Sequence, residues 1–434
     1  MDINSINNDK CFIKGTSVTP LTESTKEMYR RAIKVFCEAN NNKPFSQLIS
    51  EMKEGEYGEI IGNKIKPYDV EESLTKEYLT NFKNYMMNVQ QISNSSMRTR
   101  QTHLRTMLNN NNIILPKRFI FQNDNKKLYL LTRKDIQYIM SISTLHNKAM
   151  LSFGGSTGLR ISDICRLTIG DFMLATQKYH NSYSVEEFID KAPLDMIGYW
   201  ELTPQKTQKK NIECKVCNSP ESSNYILESL RSRVESINAM NKNTGKNEVL
   251  EFDDALFGSR EKYYKGYLNT KSLSIYLARK NKVFHEKLKR DLENDLKNRK
   301  ISLMEYKKKC EELPRFHPHA LRHYFISVLN AYCSNKTIAL KMEGHRGDIP
   351  IHKHYIGQSD ELFDEDMIRE HYEKLIPYLT FNKTIDVKQY LQFKENEKML
   401  GEYQNRENEW IEKQNELNQK YVELSERLDK INKM

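Results

Sequence analysis

The stretch HPHALRHYFISVLNAYCSNKTIALKMEGHRGDIPIHKHYIG, residues 317–357, sets histidines and two arginines around an apolar helical pattern and ends on a tyrosine. Arg322 lies between Leu321 and Phe325, in text that reads as a buried helix face. A buried guanidinium is costly unless its fork meets an acceptor, either a carboxylate or a phosphate. His319 precedes Arg322 by one helical turn, His345 follows a glycine, and Tyr355 comes ten residues later, beyond Pro350. A tyrosine alone means little in a chain with 24 of them. Its position after this donor set is what gives Tyr355 weight.

Upstream, STGLRISDICRLTIGDF (156–172) supplies a second arginine, Arg160, after a glycine at a helix-to-helix turn, with Asp163 three residues on. Glycines at 154, 155 and 158 are expected to break this region into two short helices. Two arginines with two histidines form a donor set suited to the charge that develops on a pentacoordinate phosphate. Between them, MIGYWELTPQKTQKKNIECKV (196–216) reads as a β-hairpin with a lysine-rich turn holding Lys206, Lys209 and Lys210. Cys214 and Cys217 have the spacing of half a zinc knuckle, but no second Cys or His pair follows at finger spacing. The plainer reading is two thiols in a strand and the turn after it. No metal and no cofactor is expected.

The remaining text divides around this core. TESTKEMYRRAIKVFCEANN begins a helix, with Ser24 and Glu27 at capping-box spacing and Tyr29, Ala32, Ile33, Phe36 and Cys37 on one apolar face. Helical patterning returns at 74–89 and 95–112, so 20–113 reads as a small helical domain behind a flexible 1–19. Its last helix interleaves Arg98, Arg100, His103 and Arg105 with apolar residues, and Arg98, Arg100 and Arg105 are candidate DNA contacts beside the plainer reading of a solvated face. Residues 114–131 read as an extended linker. The second domain runs from a Thr132/Asp135 cap to 382, with stretches near 174–195 and 262–312 that look inserted. From 383 to 434, Tyr403, Trp410, Leu417, Tyr421, Leu424, Leu428 and Ile431 fall on alternating three- and four-residue steps, a coiled-coil pattern.

Composition agrees with a polyanionic partner without proving one. The net charge is +10 with 29% charged residues, and basic clusters recur at 95–108, 203–211 and 278–290. There is no apolar run of about eighteen residues, nor the apolar core of a signal peptide, so the expected location is cytoplasmic, on the nucleoid, without membrane. Seven scattered cysteines do not resemble a secreted disulfide framework.

Taken together, these segments resemble the tyrosine recombinase, or phage integrase, family. The matching pieces are STGLR with Arg160, QKTQKKN with Lys206, HALRH with His319 and Arg322, EGH with His345, and HKHYIG with Tyr355. The resemblance spans about 20–375. It implies a mainly α fold with a small β-sheet: a helical core-binding domain that clamps the duplex, a mixed α/β catalytic domain, and here a C-terminal coiled-coil helix. It implies Tyr355 as nucleophile on a DNA phosphate, Arg160, Arg322 and His345 as phosphate ligands, Lys206 as general acid and His319 as proton acceptor. Asp163 is expected to orient an arginine and His323 to support. The implied partners are duplex DNA with an inverted-repeat site and further copies of the chain, a tetramer on DNA, with residues 361–380 offered to a neighbour. The His345-to-Tyr355 step is one residue longer than is commonest in the family, and Glu343 stands where an apolar residue is usual. Two other readings use the same text: a type IB topoisomerase-like or telomere-resolvase enzyme, and a non-catalytic DNA-binding coiled-coil protein.

Overall fold

The computed structural model describes residues 3–55, 59–61, 64–66, 73–122, 130–205, 208, 212–258, 265–313, 316–344 and 364–382, together with scattered helical positions between 389 and 420. Lys206, Lys209, Lys210, His345 and Tyr355 lie outside the described residues. The chain divides into two compact units, Met1–Leu128 and Tyr129–Met434.

The first unit is built from α1 (Ile3–Asn7), α2 (Lys10–Ser17), α3 (Glu23–Ala39), α4 (Phe45–Glu54), a short antiparallel pair β1 (Glu59–Ile61) and β2 (Lys64–Lys66), α5 (Leu74–Asn84) and α6 (Asn94–Asn110). The periodic face of α3 is its buried face: Tyr29, Ala32, Ile33, Phe36 and Cys37 all sit in the core. Its cap is Thr22, which accepts from Thr25 N, so Ser24 stands inside the helix and Glu27 instead bonds Arg31. The N-terminus is not a flexible tail. Asp9 caps α2 and also accepts from Ser46 N, while Ile6 and Phe12 are buried in the unit's core. A capping carboxylate and two apolar anchors are enough to hold the short helices down. The stretch 113–122 has no helix or strand, yet it too is fastened, with Ile113 and Phe121 buried.

The second unit centres on α8 (Leu145–Thr157), buried continuously from Ala149 onward. Before it comes α7 (Arg133–Ser141), started by a complete Thr132/Asp135 capping box. Gly154 and Gly155 do not break α8, contrary to the sequence expectation, because they lie where neighbours press close. A Cβ at Gly155 would be 2.7 Å from Phe381 and one at Gly154 3.2 Å from Leu321. The helix stops at Gly158, whose φ of +61° is left-handed and is adopted far more readily by glycine than by other residues. Then follow α9 (Ile161–Ile164), α10 (Ile169–Ala175), α11 (Val185–Lys191) and the hairpin of β3 (Tyr199–Leu202) with β4 (Cys214–Cys217), in register Tyr199↔Cys217 through Leu202↔Cys214. Next are α12 (Pro220–Thr244), α13 (Thr270–Lys297), α14 (Leu303–Glu311), α15 (Pro318–Tyr332), α16 (Lys336–Glu343), α17 (Glu365–Glu373) and α18 (Ile376–Leu379). The architecture is thus mainly α with a small sheet.

Two sequence-flagged segments resolve differently from each other. In α13 the buried residues Leu273, Leu277, Asn281 and Phe284 all lie before 285, and α14 buries none of its residues, so 285–312 forms a solvated helical hairpin. By contrast, residues 364–382 are part of their own unit rather than an arm offered to a neighbour. Ile368, Tyr372, Leu375, Ile376, Leu379 and Phe381 join its core, Tyr372 donates to Ser156 O at 2.8 Å, and Glu221 accepts from Phe381 N at 2.6 Å.

Candidate active site

The left-handed turn at Gly158 aims its carbonyl at Arg322. The Arg322 guanidinium, 4% exposed, donates to Gly158 O at 2.8 Å and to Glu343 O at 2.7 Å. One side chain therefore ties α15 to the end of α8 and the end of α16. These acceptors are neutral carbonyls, so the positive charge itself is not cancelled by them. Any side chain at 158 would also collide with Phe325, whose Cδ1 would lie 2.2 Å from its Cβ.

Arg160, two residues on, is the N-cap of α9 and half-buried. The two arginines feel each other. Desolvation first, then the Arg160 charge, lowers the pKa of Arg322, while Cys214, Glu343 and Asp163 act in the opposite direction. Two cations in a partly dry place repel each other, and here the neighbouring Glu343 and Asp163 partly offset that repulsion.

Asp163 makes its hydrogen bond to the hairpin rather than to an arginine. Its Oδ1 accepts from Gln205 N at 3.1 Å, so it fastens the hairpin turn at the residue just before Lys206. Its Oδ2 is buried with no hydrogen-bond partner among the described residues. Its charge also favours the Arg322 cation, so the hairpin-holding bond stands beside the expected arginine-orienting role.

The same hairpin meets the end of α16. Gly344 is left-handed at φ +63°, and a Cβ there would lie 3.0 Å from Cys214 Cβ and 3.7 Å from Pro204 Cγ. Cys214 Sγ donates to Met342 O at 3.2 Å, and burial pushes its thiol up to about 12. Cys217 is likewise buried in β4 with its thiol raised to about 12, so both cysteines are strand residues packed in the core. The end of α16 before His345 and the hairpin that carries Lys206 are thus close neighbours, although those two side chains lie outside the described residues.

On α15, His319 and His323 sit one turn apart with ring centroids 4.5 Å apart, edge to face. Desolvation lowers the His319 pKa first, and the nearby charges of His323, Arg322, His317 and Arg160 lower it further. A histidine held below its ordinary value is neutral near pH 7 and can accept a proton. Among the described candidates, then, Arg160, Asp163, His319, Arg322 and His323 come together. What the sequence could not reveal were the carbonyls of Gly158 and Glu343, since a backbone acceptor has no letter of its own.

The basic helix α6 is different in kind. Arg98 donates to Phe121 O at 3.1 Å, Arg105 to Pro116 O at 2.7 Å and Arg100 to Gln90 Oε1. These candidate DNA contacts fasten the 113–122 stretch and the turn before α6. A cavity of about 770 Å³ in the second unit is not lined by Arg160 or Arg322; its five carboxylates, Asp171, Glu201, Asp364, Glu365 and Asp366, outnumber Lys178 and Arg369, which are themselves paired to Asp366 and Glu365, so it is a poor place for a phosphate.

No model of a known protein family matches the chain, and no curated protein does either. Solved structures similar to it include a recombinase and a transposon integrase. The crystal structure of XerA recombinase is 15% identical over 86% of this chain and 98% of its own, with a TM-score of 0.30. The Tn1549 transposon integrase in complex with transposon right end DNA is 13% identical over 86% of this chain and 99% of its own, at 0.42. The same integrase with circular intermediate DNA is 13% identical over 83% and 97%, at 0.39. At such values the chemical case stands on this chain's own residues.

Proposed function

We propose that the chain is a site-specific DNA recombinase that cuts and rejoins strands through a 3′-phosphotyrosine on Tyr355. The observation that carries this reading is that Arg160 and Arg322 lie close enough for their charges to act on each other and on His319, whose pKa they lower. Tyr355 Oη attacks a backbone phosphorus and the bond to the 5′-oxygen breaks. His319 takes the phenolic proton and Lys206 protonates the leaving oxygen. General-acid help of this kind is worth about 10²–10⁴-fold. The phosphodiester energy is kept in the protein–DNA bond, so rejoining needs no ATP. Arg160, Arg322 and His345 carry the developing charge on the non-bridging oxygens. Asp163 positions the lysine hairpin and His323 supports His319. No metal or cofactor enters this scheme.

The first unit is proposed as the clamp on the duplex, with Arg98, Arg100, Arg105 and the hairpin residues Lys209 and Lys210 near phosphates. The substrate is duplex DNA with an inverted-repeat site, and several copies, four in a complete synapse, act together with the C-terminal coiled coil as one tie. The test exposes wild type and Tyr355→Phe to random nicked duplexes, denatures, and sequences the DNA that stays attached. Adducts confined to wild type and sharing an inverted repeat are expected. Adducts without a shared motif favour a topoisomerase-like enzyme, and binding without adducts favours a non-catalytic DNA-binding protein.

A further inference from the structure

The helix at the C-terminal end presents an apolar seam to solvent. Residues 410–417 are helical, and Trp410 and Leu417 are 60% and 71% exposed, with Leu400 at 59% earlier on the same seam. In heptad terms Trp410 and Leu417 are d positions, Leu400 and Gln414 a positions. The sequence continues the seam with Tyr421, Leu424, Leu428 and Ile431, which lie outside the described residues.

The flanks of the seam are unlike each other. Every g position from 406 to 427 is basic: Arg406, Lys413, Lys420 and Arg427. The e positions on the other flank, Gln404, Ile411, Asn418, Ser425 and Asn432, carry no charge. Arg406, Lys413 and Lys420 are exposed helical positions. Such asymmetry decides how two copies can pair. In a parallel pair, g faces the partner's following e, so Lys413 meets an asparagine and Lys420 a serine. In an antiparallel pair, g faces g: setting Trp410 against the partner's Tyr421 brings Arg406 onto the partner's Arg427 and Lys413 onto the partner's Lys420, each twice. Like charges in such positions repel. Gln414 in the a layer agrees. Parallel pairing sets it against its own copy, where two amides can bond each other; antiparallel pairing sets it against Leu417 and leaves it unsatisfied. Glu407, also an a position, weighs the other way by facing its own copy in the parallel pair, but that is one like-charged contact against the four on the antiparallel flanks.

We infer that a second copy of this chain docks on this seam in parallel and in register. The inference deepens the reading that copies act together and rests on it. A parallel tie places both C-termini at one end, so the two linked protomers leave the coil in the same direction.

The experiment uses the full chain without DNA. Sedimentation velocity on wild type at micromolar concentration is expected to show a dimer or larger species. Trp410→Cys under mild oxidation is expected to form a disulfide between the two copies of residue 410, mapped by mass spectrometry against oxidised wild type as background. In an antiparallel pair those positions are about 16 Å apart, beyond the ~7 Å limit for a disulfide. Lys413→Glu should leave the dimer constant within twofold in the parallel form, but tighten an antiparallel one by setting a carboxylate at position 413 opposite Lys420. Dimers lacking the disulfide and tightened by Lys413→Glu overturn the parallel arrangement and leave self-association standing. A wild-type monomer overturns both, and the basic flank then fits an acidic helix of another protein. Neither outcome touches the Tyr355 adduct, which is read separately.

Discussion

Helix α6, and the turn at Gly158 together with α15, look alike as text, each with arginines and histidines among apolar residues, and they are built to different ends. On α6 every arginine has its own neutral acceptor close by in the chain: Arg98 with Phe121 O, Arg100 with Gln90, Arg105 with Pro116 O. At the turn, two arginines from segments more than a hundred residues apart act on each other's charge, as Arg31 acts on Arg100 at α6, while Arg322 joins two helix ends through their carbonyls and Cys214, Glu343 and Asp163 partly offset the repulsion. One histidine from each region reports the difference. His103 is lowered by desolvation alone, whereas His319 is lowered by desolvation and then by four neighbouring cationic groups. Arginines in a sequence show capacity for phosphate; the surroundings of the two histidines, with four cationic groups acting on His319 and none on His103, are the sharper difference between the regions.

The largest expected effect comes from Arg322→Ala. It removes the tie between three helices and leaves two carbonyls without their donor, a loss of about 3 kcal/mol in unfolding free energy. Under the proposed chemistry it also lowers the rate of DNA adduct formation by at least ~10³-fold, the scale of removing a preorganised donor to a developing charge. Arg322→Lys keeps the charge without the fork and should recover neither fully. Denaturant unfolding and adduct kinetics on the same preparations check this. An active, stable Arg322→Ala would dissolve the contrast with α6.

Much of this was legible beforehand. The faces of α3 and the hairpin followed from period, and left-handed Gly158 stands where the sequence suggested a turn. Three features were not. Gly154 and Gly155 stay helical because Leu321 and Phe381 fill the space a side chain would need, a tertiary fact without local signature. The 364–382 stretch is amphipathic, and amphipathicity is the same whether the apolar face meets its own unit or a neighbour. Asp163 bonds the Gln205 backbone, and no letter in the sequence marks a backbone donor as the partner of a carboxylate.

A smaller effect sharpens the comparison through pH. The folded pKa of both histidines lies below the ordinary 6.5. The unfolded chain therefore binds more protons below that value, so each contribution to stability is complete above it and is lost as pH falls through the window beneath it. Proton NMR of the ring resonances separates the two sites. Millimolar inorganic phosphate, by screening Arg160 and Arg322, should raise the His319 pKa and leave His103 where it is. Equal movement of both would mean that phosphate acts on the whole protein and that the arginine pair is no anion site.

The smallest effect belongs to Arg105→Ala. Its bond to Pro116 O is half-buried, and losing it should cost about 1 kcal/mol. If Arg105 is occupied by that carbonyl, the slope of log affinity for duplex DNA against log salt changes by much less than the ~0.9 expected for one lost phosphate contact. A slope reduced by nearly that whole amount would show that Arg105 lets go of Pro116 when DNA arrives. The 113–122 stretch would then be released on binding, and the difference between α6 and the Gly158 turn would be one of timing: a site assembled in advance against one assembled by the duplex.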